Sequence, residues 1–105
     1  MNKLEVVITF ANDEKLYIKQ DAIIFPIRLI EQDGEQFTSE SSPVVLEEHL
    51  HNEEGLIPAL TAAFSRSEFF YLNKDKQDNR IVYKTNSIVS LKQRKELKAG
   101  FGRIY

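Results

Sequence analysis

Apolar positions come in short blocks separated by polar turns, with β-branched and aromatic residues dominating the blocks. Residues 4 to 10, LEVVITF, alternate in part, and a polar stretch with Asn12 and Asp13 leads to a second block, LYIK at 16 to 19. That pattern predicts a first hairpin. The run AIIFPIRLIE at 22 to 31 is extended, but Pro26 has no N–H for a ladder, so it belongs on an edge, at a bulge or in a bend. Asp33-Gly34 tolerates positive φ and predicts a tight turn into a short return strand over Glu35 to Thr38.

Helical signals occupy the middle of the chain. Ser42-Pro43 resembles a cap followed by a first-turn proline and predicts a short helix over VVLEEHLH. Gly55 breaks the pattern, and Pro58 opens a second helical segment with Leu56, Leu60, Ala63 and Phe64 on one face. One interrupted helical region spanning both is the alternative. EFFYLN at 68 to 73, the loop KDKQDN and RIVYKTN at 80 to 86 form the clearest hairpin and contribute to the core. Asn86 and Ser87 can bend the backbone through local side-chain hydrogen bonds, after which SIVSLKQ at 87 to 93 continues as extended chain. RKELKAGFGRIY shows no sustained period, which leaves order and disorder both open. The sequence thus predicts an α+β fold: an antiparallel β-sheet of about five or six strands with one helical insertion packed on a face, or a half-open barrel as the close variant. One domain over residues 1–93 and a basic, aromatic C-terminal tail over 94–105 is the expected organisation, with inclusion of the tail in the domain as the alternative.

Composition narrows the function classes. At 105 residues, 42% of them hydrophobic and including seven phenylalanines and four tyrosines, the chain can fill one core but not two. Without cysteine there is no disulfide, no thiolate zinc site and no cysteine nucleophile, which suits a reducing compartment and sets a cytoplasmic expectation. Glu5 interrupts the N-terminal apolar run, which therefore does not read as a signal peptide. No stretch approaches the roughly 20 apolar residues of a membrane span, and no membrane partner is expected.

Candidate chemistry is sparse. His49 and His51 lie among Glu47, Glu48, Glu53 and Glu54, but helix positions two apart do not face each other, so the segment reads as a solvated acidic helix end rather than a metal site. The Glu53-Glu54 pair sits in a polar connector without a binding sequence around it. The serines occur in no nucleophile motif, and Gly100-Phe101-Gly102 lacks the strand and helix that a phosphate loop needs. Neither an enzyme, a cofactor nor a metal is expected.

The net charge of −2 is unevenly spread: from Leu91 onward Lys92, Arg94, Lys95, Lys98 and Arg103 face the single acid Glu96. Interleaved with Phe101 and Tyr105, these bases supply phosphate contacts and stacking surfaces, and pairing with the acidic stretch Glu47 to Glu54 is the alternative. Lys84 joins them through a likeness. The run FFYLN followed by IVYKTNSIVS resembles the last hairpin of bacterial Sm-like RNA-binding proteins over about twenty residues. Tyr83-Lys84 agrees with that family's short motif, Thr85 stands where the motif has histidine, and the helices here interrupt the strands rather than precede them. The resemblance implies RNA contact at Lys84. The leading expectation is a non-enzymatic interaction or regulatory module that presents a sheet edge or its tail to a protein partner or a second copy. Binding of RNA or single-stranded nucleic acid through Lys84 and the basic tail is the alternative.

Overall fold

A computed structural model describes residues 3–73 and 81–95. Its eight strands are β1 (Leu4–Phe10), β2 (Lys15–Lys19), β3 (Ile23–Gln32), β4 (Glu35–Glu40), β5 (Val44–Val45), β6 (Phe69–Leu72), β7 (Tyr83–Lys84) and β8 (Ile88–Lys95). Helix α1 spans Ile57–Ser65. The strands form two antiparallel sheets, ordered β2-β1-β8 and β4-β3-β6-β7, with β5 also on β3. The α+β class holds, with two sheets in place of one and no closure into a barrel. Strand β8 runs through Lys95, so Arg94 and Lys95 belong to the sheet; residues 96 to 105 of the expected tail lie outside the described residues.

The core lies between the sheets and is closed by the helical insertion. Val6, Ile8 and Ile18 from the first sheet meet Ile24, Phe70 and Leu72 from the second, with Leu46, Leu56 and Leu60 from the insertion. Rings connect the layers: Phe10 stacks on Tyr83 (5.6 Å), Tyr83 on Phe70 (5.2 Å), and Phe64 of α1 tilts against Phe70 at 4.5 Å. Each contact adds about 0.5–1.5 kcal/mol to the apolar burial. Gly55 is the hinge of the insertion. At φ +76°, a Cβ there would collide with Gln93 Oε1 of β8, the atom that accepts the Leu56 N–H at 2.7 Å. A glycine lets the backbone close onto β8 and dock the helix.

One local expectation is corrected, and that for Pro26 is met in its bulge form. Residues 44 to 51 are not one helix: Val44 and Val45 pair with Ile24 and Ile23, and only Leu46–His49 make a 3-10 turn. The β-branched pair finds an open stretch of β3, whereas a helix so short would carry the full cost of nucleation. Pro26 lies in an interior strand, flanked by β6 on one side and by β4 and β5 on the other. It is accommodated by a bulge. Register slips by one residue between Ile27↔Glu40 and Ile24↔Val44, and the Pro26 carbonyl accepts from Ser41 N–H at 3.0 Å, so the missing donor faces this irregular turn.

Candidate functional site

Alternation along the first sheet sends Leu4, Val6 and Ile8 inward and Glu5, Val7 and Thr9 outward. Directly opposite those three stand Lys19, Tyr17 and Lys15 on β2, and Arg94, Lys92 and Ser90 on β8. Four bases and one acid therefore share one sheet face. Glu5 is fully buried beneath them: Lys19 Nζ reaches Oε1 at 2.8 Å, Arg94 reaches Oε2 at 2.7 Å, and the guanidinium lies 5.4 Å from the Tyr17 ring centre. Burial raises the Glu5 pKa, but hydrogen bonds from Lys19 and Arg94, with their charges, outweigh it, and the carboxyl titrates below its ordinary 4.5.

This geometry divides the expected binding residues. Lys92 and Arg94 share the outer face, but Arg94 is committed to Glu5 rather than to the stretch Glu47 to Glu54. Lys95 alternates to the opposite side of β8, and Lys84 belongs to the second sheet, opposite Phe69. Lys98, Phe101, Arg103 and Tyr105 lie outside the described residues. Around Lys84 the expected bend is present: Thr85–Ser87 form a 3-10 turn, Ser87 Oγ donates to the Lys84 carbonyl at 2.8 Å, and Thr85 Oγ1 donates to the Ser67 carbonyl at 2.6 Å. Among the described residues no group of three histidine or acidic side chains is gathered that could hold a metal, and no helix is long and apolar enough to cross a membrane.

The second sheet offers a different surface. Asp33 (φ 55°) and Gly34 (φ 81°) both turn left-handed, as a two-residue hairpin requires, and bring β4 back along β3 from Gln32↔Glu35 to Ile27↔Glu40. Strand β6 stops at Phe69, where the Glu68 carboxylate accepts the Leu29 N–H. Beyond that point β3 and β4 project as a two-stranded arm. Leu29 and Phe37 on it are 42% and 45% exposed, and all six residues of β4 are exposed. The tight turn makes residues 35, 37 and 39 bond inward to β3, so Gln36, Thr38 and Glu40 direct their backbone groups away from the sheet. At the arm's base Tyr71 stacks on Phe25 (4.8 Å) and its hydroxyl donates to the Glu40 carboxylate, fixing the start of this open edge.

Several of these groups escaped sequence reasoning. Glu5 was only an interruption in an apolar run, because its partner Arg94 is distant along the chain. Arm residues Leu29 and Phe37 carry the same alternation as buried strands, so nothing local marks them as exposed. No protein-family model matches the chain, no curated protein is similar to it, and no solved structure matches its fold.

Proposed function

We propose that the chain is a non-enzymatic protein-interaction module that captures an extended segment of a partner by strand addition along β4. The observation that carries this reading is the open edge of a projecting arm: outward N–H and C=O groups at Gln36, Thr38 and Glu40, beside exposed Leu29 and Phe37. An added strand would take main-chain hydrogen bonds from the edge and side-chain selectivity from its two faces. By contrast, the β2 edge of the first sheet is blunted by Lys15 and Lys19. Thr38→Pro tests the reading, since it removes an outward donor while sparing the inward bonds to β3. Native mass spectrometry at low salt should show a bound polypeptide or second copy with the parent protein and a bare monomer with Thr38→Pro. An undiminished complex would move the interface off β4.

A second reading rests on Lys15, Lys19, Lys92 and Arg94 surrounding Tyr17 on the first sheet, a surface suited to single-stranded nucleic acid. It ranks lower because Glu5 already neutralises part of that charge and Arg94 covers Tyr17. Co-purified oligonucleotide mass, lost steeply with added salt, would reverse the order.

A further inference from the structure

Beneath the base of the arm, on the opposite side of β3 from the Phe25–Tyr71 stack, a cleft of about 230 Å3 opens between β3, the connection from β4 to β5 and the end of α1. Pro26 and Ala63, both buried, form part of its floor, and Arg28, Arg66, Ser41 and Ser42 form its polar lining. Neither arginine has a carboxylate partner among the described residues, whose ion pairs both involve Glu5. Glu40 and Glu68 have partners of their own, the Tyr71 hydroxyl and the Leu29 N–H. Arg66 donates its Nε–H to the Ala62 carbonyl at 3.1 Å, which orients the guanidinium without using its terminal nitrogens.

Two exposed arginines on the rim of one cleft, neither paired with a carboxylate among the described residues, give it a positive charge that an anion would offset. With two serines also in the lining and an apolar floor, these residue types match the charge and the several acceptor oxygens of a phosphate better than a single carboxylate. We propose that the Arg28–Arg66 cleft binds the phosphate group of a phosphomonoester. This goes beyond partner capture at β4 and involves the other face of β3. The phosphate comes either from a free small molecule or from a phosphorylated side chain, and the two sources share the same contacts.

The test is a nuclear magnetic resonance titration of the whole chain with inorganic phosphate and, separately, with N-acetyl-phosphoserine amide. Saturable shifts should centre on the amides of Arg28, Ser41, Ser42 and Arg66. Arg28→Gln and Arg66→Gln should each weaken binding about tenfold, the loss expected for one charge-assisted contact, while Lys3→Gln should leave it unchanged. Tighter binding of the phosphoserine amide assigns the site to a modified side chain, and tighter inorganic phosphate assigns it to a free ligand. Shifts that never saturate, spread over the surface lysines or survive both arginine variants overturn the proposal. Thr38→Pro should retain the phosphate response, so failure of the cleft and failure of the β4 edge are told apart.

Discussion

The β1–β2 and β3–β4 hairpins arise from similar sequence, alternating β-branched blocks joined by a short polar turn, yet they are held in different ways. Strand β1 lies between two neighbours, directs Val6 and Ile8 into the core and closes its outer face over the buried Glu5. Beyond Leu29 the β3–β4 arm has no third strand and no covering layer among the described residues. An isolated two-stranded ribbon is only marginally stable in water, so the arm depends on its tight turn and on its anchorage at Tyr71 and Glu68. A hairpin's burial is thus decided by what packs on it, and its own pattern does not reveal that. The first sheet pairs Glu5 internally with Lys19 and Arg94, whereas on the second the outward backbone groups of β4 have no neighbouring strand among the described residues.

The largest expected effect separates the core from the arm. Phe70 is fully buried and stacks or tilts against both Phe64 and Tyr83. Phe70→Ala should cost about 3–5 kcal/mol of unfolding free energy, because it leaves a cavity at the junction of both sheets and α1. Urea denaturation followed by far-ultraviolet circular dichroism measures it. A loss below about 1 kcal/mol would mean that the two sheets are not united by this ring.

An effect of intermediate size tests the closed face. Glu5→Gln removes the charge shared by Lys19 and Arg94 and should cost about 1.5–3 kcal/mol at neutral pH, toward the lower end because both bases are partly exposed and can rehydrate. The folded pKa of Glu5 lies below its ordinary 4.5, so this stabilisation is complete above 4.5 and is lost as pH falls through the folded value. Denaturation midpoints of parent and Glu5→Gln protein should therefore converge in acid. A gap that stays constant down to pH 3 would remove the ion-pair explanation.

Local pattern specified much of the architecture. Alternation and turn chemistry located the β1–β2 and β3–β4 hairpins, the Asn86-Ser87 bend and the helix opening at Pro58, because each depends on residues adjacent in sequence; of the expected strand at 80 to 86 only Tyr83–Lys84 pair with β6, and Ile81 and Val82 are exposed. What was not legible depends on contacts distant along the chain. The division into two sheets follows from β8 pairing with β1. Conversion of 44 to 51 from helix to strand and 3-10 turn follows from a vacancy along β3. The candidate sites show the same limit: clustered C-terminal bases were visible as composition, but strand alternation splits Lys92 and Arg94 from Lys95, and Arg28 and Arg66 meet only through the fold. Because Arg94 and Lys95 form part of β8, a tail deletion that spares the domain should begin at residue 96.

The smallest effect on stability should fall on the arm. Phe37→Thr puts a β-branched residue of good strand propensity opposite Ile30 and removes an exposed ring, so unfolding free energy should move by no more than about 0.5 kcal/mol. Association should nevertheless weaken, because that ring is the largest apolar surface available to a strand added along β4. Native mass spectrometry and urea denaturation of the same sample separate the two quantities. Loss of the complex at unchanged stability identifies the arm as a surface kept for a partner. Loss of stability with no change in association would instead show that Phe37 supports the hairpin itself, and the contrast between a self-satisfied sheet and a partner-seeking one would then rest on the edge of β4 alone.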